Sequence, residues 1–204
     1  MTLKPSKYNN RLDEHLIDTV AQILYKARLK CLDNFDSDNG DTAWSNGVRS
    51  REWCCKAIRE AAEEYDFLEI LVDKGRSFCF LLNGVPVKFF KDNSQKPSSK
   101  LFKYREIEQK QYDLFPADGV SIPKDILWRF VIETDITLDV SKIVFMGLNK
   151  ITNDIECFYE TPIRKDDVRL LASLSTMKND IEEALDEIEI SYKSVAEKKE
   201  AIND

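Results

Sequence analysis

At residue 66 the hydrophobic period of this chain changes, and that change limits the fold more than any other feature. Before it, apolar residues recur at helical steps; after it, they follow the two-residue alternation and β-branched richness of strands. Leu12, Leu16, Val20, Ile23, Leu24, Ala27 and Cys31 form one stripe, with Asp13 and Glu14 in the first turn, where the helix dipole favours acids. This first helix is expected to end near Leu32. A second is expected from Ser50 to Tyr65, with Trp53, Ala57, Ile58, Ala61 and Tyr65 on one face.

Six strand-like segments follow. Phe67–Asp73, Ser77–Leu82 and Val85–Phe90 form one group; Ile126–Thr134, Lys142–Leu148 and Ile155–Thr161 form the other. Asn83-Gly84 joins the second and third as a two-residue hairpin, because both turn positions want positive φ. Pro86 calls for a strand position that needs no ladder donor. Short turns between the segments favour a meander, so the expected fold is α+β: an antiparallel sheet of about six strands packed with two N-terminal helices. Residues 92–100 and 116–124 read as loops, and 106–111 as helix.

The chain ends differently. From Asp166 to Ile202 there is neither Pro nor Gly, and Leu170, Leu174, Met177, Ile181, Leu185, Ile188 and Val195 recur at helical spacing. This predicts one long amphipathic helix, which divides the chain into a globular domain, 1–165, and an acidic helical segment, 166–204. An apolar seam of that length requires cover, either from the sheet or from another molecule. The charge distribution sharpens the point. Residues 1–65 carry 10 basic and 11 acidic groups, residues 66–165 carry 15 of each, and residues 166–204 carry 5 and 11. Nearly all of the net charge of −7 therefore sits on the tail, which would favour a basic or apolar groove on a protein partner, or self-association as a coiled coil.

Composition excludes several classes. Apolar runs such as Phe78–Leu82 and Ile143–Met146 are strand-length, which predicts no membrane span, and no apolar stretch follows the N-terminus to make a signal peptide. Five cysteines without a Cys-x-x-Cys pair read as buried free thiols of a reducing, cytoplasmic compartment. With His15 the only histidine, a Cys/His zinc site is not expected. No cofactor motif occurs, since none of the six glycines has a phosphate-loop spacing. The Asp-rich stretch 33–41 fails the calcium-loop pattern: with Gly40 at its sixth position, Phe35 and Ser37 fall where ligands are required.

Two functional readings remain. The first is a non-catalytic accessory or regulatory module whose C-terminal helix docks a protein partner or a second copy. The second rests on residues 88–110, where Lys88, Lys91, Lys96, Lys100, Lys103, Arg105 and Lys110 are interleaved with Phe89, Phe90, Phe102 and Tyr104. Cations meet phosphates and aromatic faces stack on bases, so this composition suits nucleic acid. The plainer account is a lysine-flanked loop guarding an edge strand, and the acidity of the whole chain favours it. Within the same segment Glu108-Gln-Lys110 places a carboxylate two residues before a lysine, as PD-(D/E)xK metal-dependent nucleases do. No Pro-Asp precedes it at strand spacing. A degenerate nuclease is the weaker form of this second reading. Trp44, Trp53 and Trp128 are expected as core or boundary anchors.

Overall fold

In the computed structural model the described residues are 4–74, 77–104, 106, 108 and 125–163. The partner-docking residues Leu170 to Val195 lie outside them, as do Arg105 and Lys110.

Three helices come first: α1 (Pro5–Tyr8), α2 (Glu14–Asp33) and α3 (Ala43–Glu64). Asp13 caps α2 by accepting the His15 N–H at 2.7 Å, satisfying one of the donors that a helix start leaves orphaned. Thr42 and Ser45 form a reciprocal capping box on α3. That box starts α3 seven residues before the expected Ser50. Ser45 stands where Glu or Gln would have advertised the motif, and Gly47 interrupts the helical pattern. The loop between these helices is tied by its own acids. Asp36 accepts the N–H groups of Asp38 and Asn39 at 3.0 and 3.1 Å, and Asp41 pairs with Arg49.

The six strands are β1 (Leu68–Lys74), β2 (Ser77–Leu82), β3 (Val85–Lys91), β4 (Ile126–Thr134), β5 (Val140–Asn149) and β6 (Ile155–Glu160). They lie side by side in chain order in one sheet. Asn83 and Gly84 make the β2–β3 turn with φ of +49° and +79°, as the dipeptide requires.

The sheet is mixed, which corrects the expected antiparallel meander. β3 and β4 run parallel, with Val87 opposite Trp128 and Lys91 opposite Ile132. Residues 92–125 separate them, long enough to return the chain to its starting end, as a parallel pair demands. Pro86 lies one position before that parallel ladder begins, so its missing donor costs nothing there.

One sheet face carries the helices. Trp128, Phe130 and Phe145 pack on this side, Trp128 stacking on Phe145 at 5.3 Å and meeting the Tyr8 ring edge-on at 6.4 Å. Gly147 makes that stack possible, because a Cβ there would sit 3.0 Å from both Ile126 and Trp128. On the other face Leu127, Val131, Val144, Met146 and Leu148 close over Leu101 of a 3-10 turn (Ser99–Phe102). Among the described residues no helix is long and apolar enough to cross a membrane.

Candidate anion-binding site

The sheet opens at one place. β2 and β3 pair from Leu82↔Val85 to Phe80↔Val87 and no further. Beyond that point β2 continues against β1 to Ser77↔Lys74, and β3 continues against β4 to Lys91↔Ile132. The two strands diverge, and a cavity of about 540 Å³ lies in the wedge. Ser77 and Phe78 of β2 line it, as does the whole run Lys88 to Lys91 of β3. The helices add Arg28 from α2 and Gly47, Arg51 and Cys54 from α3. Lys100, Lys103 and Tyr104 approach from the chain that follows β3.

Of the acids that meet these cations, Glu108 faces Lys88, Asp92 lies 3.4 Å from Lys100, and Glu52 pairs with Arg51. Among the described residues Arg28 has none. It is 6% exposed, and its buried Nε meets no hydrogen-bond partner among them. A buried cationic donor without a partner is costly, and burial pulls the Arg28 pKa below the ordinary arginine value. Lys91 is also pulled down, first by desolvation and then by the nearby charges of Arg28 and Lys100. Its ammonium has no described ion-pair partner either. These groups repel one another, and an anion between them would relieve the repulsion.

A second device holds the wall in place. Lys88 and Arg129 are register neighbours on β3 and β4, a like-charge juxtaposition that is unfavourable when unrelieved. Glu108 lies between them, one oxygen on Lys88 and the other on Arg129 Nη2 at 3.0 Å. Arg129, fully buried, also donates to the carbonyls of Leu101, Trp128 and Lys103 at 3.1, 3.0 and 3.3 Å. It thereby pins the segment that carries Lys103 and Tyr104 to the cavity rim.

Of the seven basic residues expected to meet nucleic acid, Lys88, Lys91, Lys100 and Lys103 converge on this cavity. Lys96 is exposed in a loop where Asn93 accepts its N–H, and it does not line the cavity. Phe89, Phe90 and Tyr104 contribute to the lining; Phe102, at the end of the 3-10 turn, does not, and packs against the core, as Phe90 also does. The nuclease reading of Glu108 gains no support. Its carboxylate is the counter-ion of Lys88 and Arg129, and no cluster of three metal-ligating side chains occurs among the described residues. Glu69 is solvent-facing, and Asp73 receives a forked pair from Arg59 at 2.6 and 3.0 Å.

Cys54 lines the cavity, but burial pushes its thiol up to about 12, so it is a poor nucleophile. All five cysteines are buried, and none is in a disulfide. Trp128 is core and Trp53 is half-buried beside Lys30, but Trp44 stands 78% exposed and anchors nothing. Reading the sequence missed Arg28, Arg51, Gly47 and Phe78. For Arg28 a signal was present. It falls four residues after Leu24 and three before Cys31, so a charge lies within the apolar stripe.

No family model matches this chain, and neither a curated protein nor a solved structure matches it.

Proposed function

We propose that the protein is a binding module for a phosphorylated ligand that carries a flat ring. The phosphate would sit between Arg28, Lys91 and Lys103, and the ring against the aromatic part of the wedge at Phe78 and Phe89. The reading is carried by one observation: Arg28 lines the cavity, and its buried Nε meets no hydrogen-bond partner among the described residues. Native proteins seldom leave such a group unmatched, and a site that waits for a phosphate accounts for it. The cavity volume falls within the roughly 300–1,000 Å³ typical of small-ligand sites. Binding is the proposed role, since the described lining brings together cations and rings.

Calorimetric titration in phosphate-free buffer tests this. A nucleoside 5′-monophosphate is expected to bind and the matching nucleoside to bind far more weakly. Equal affinity for the two, or no heat with either, refutes the assignment.

A further inference from the structure

The α3 face that lines the cavity continues beyond it. Gly47, Arg51 and Cys54 lie at helical spacing on the lining. One turn earlier on the same face stands Trp44, 78% exposed, and its i,i+4 neighbour Val48 is 48% exposed. At Gly47 the helix face is open, because a Cβ there would meet no atom within 4 Å. Glycine inside a helix is less stable than alanine, so an open position here is held at some cost in stability.

Trp44 and Val48 form an exposed apolar pair one helical turn from the cavity lining. A second exposed ring, Tyr104, lines the cavity itself at 43% exposure, with Lys150 Nζ 5.4 Å from its centroid. Cationic depth with flanking flat rings outside is the arrangement that holds a chain of phosphates and bases. The cavity is small-ligand-sized, so further units of a longer ligand must lie on the surface beyond it. That surface carries Trp44.

We infer that the ligand is single-stranded nucleic acid: one nucleotide occupies the wedge with its phosphate on Arg28, and a neighbouring base stacks on Trp44. The inference rests on the phosphate-site reading above and adds the polymer. Base–aromatic stacking is sequence-tolerant, so recognition by this face would be largely indifferent to base identity.

The test uses the full-length protein with a nucleoside monophosphate and with DNA and RNA oligonucleotides of two, four and six residues. An abasic strand of six residues supplies phosphates without bases. Affinity is expected to rise from the mononucleotide to the tetranucleotide and then level off, while the abasic strand gains little. Trp44→Ala, at a solvent-exposed position, should weaken the tetranucleotide by about 5- to 100-fold and leave the mononucleotide within about twofold. Arg28→Met should weaken both. If affinity does not depend on length, or Trp44→Ala leaves the tetranucleotide unchanged while the mononucleotide still binds, the polymer inference falls and the phosphate site stands. If neither the mononucleotide nor any strand binds, both fall.

Discussion

Replacing Arg28 by methionine should make the protein more stable and less able to bind. The two effects come from the same atoms. Methionine keeps an unbranched stem among the residues of α2 and removes the charge. Arg28 is 6% exposed and its Nε meets no partner among the described residues. Leaving a buried donor unsatisfied costs about 1–3 kcal/mol, and more when the group is charged. Replacing buried ionic groups with well-packed apolar ones is often stabilising by about 1–4 kcal/mol. A gain of about 2 kcal/mol is therefore expected. For a chain of this size each kcal/mol moves Tm by roughly 2–4 °C, so the shift is about 4–8 °C upward. Phosphate affinity moves the other way. A hydrogen bond to a charged group contributes about 1.5–3 kcal/mol, so binding should weaken by about 10- to 150-fold. Urea denaturation reads the first effect and calorimetry the second, both in phosphate-free buffer. Ligand at 100 times the wild-type Kd should return about 2.7 kcal/mol to the wild type and about 0.3–1.4 kcal/mol to the variant. A variant that is less stable than wild type, or that binds a nucleotide equally well, refutes the argument that Arg28 is kept at a cost for an anion.

Three other perturbations have definite outcomes. Glu108→Gln strands the buried pair Lys88 and Arg129, whose side chains are 11% and 0% exposed, and should cost about 3–5 kcal/mol in a denaturant titration; a loss under 1 kcal/mol would show that the carboxylate neutralises neither cation. Gly147→Ala places a Cβ 3.0 Å from Ile126 and Trp128 and 3.1 Å from Cys157, and overpacking there should cost about 1–3 kcal/mol by the same assay, whereas an unchanged midpoint would mean the stack can shift at no cost. The Lys91 ammonium is held below its ordinary value of 10.5, so its charged form opposes folding below the lowered pKa, and that penalty fades as pH rises towards 10.5. Phosphate binding needs the charged form. Affinity should therefore fall at a lower alkaline pH in wild type than an ordinary lysine would allow, and Lys91→Met should flatten that part of the profile.

Most of the sheet was legible in the sequence because alternation and β-branched content fix strands locally. The Ser77–Leu82 and Ile126–Thr134 segments appear at their expected bounds, and Asn83-Gly84 turns as its two positive φ values require. The parallel pairing of β3 and β4 was not legible. It depends on where residues 92–125 carry the chain, and periodicity says nothing about a return path. The site was half legible for the same reason. Lys88, Lys91, Lys100 and Lys103 announce themselves as a local cluster, but Arg28 is some sixty residues away in the chain and reaches them only through packing of α2 on the sheet. The wedge itself is a property of pairing, since the sequence of β2 and β3 does not mark where their ladder stops.

The most direct measurement is a crystal structure of the full-length protein grown with a nucleoside 5′-monophosphate, with the phosphate located by its density. The phosphate is expected in the wedge between β2 and β3, within hydrogen-bond distance of the Arg28 guanidinium and beside Lys91. A nucleotide bound elsewhere, or an empty wedge at saturating concentration, would contradict the account.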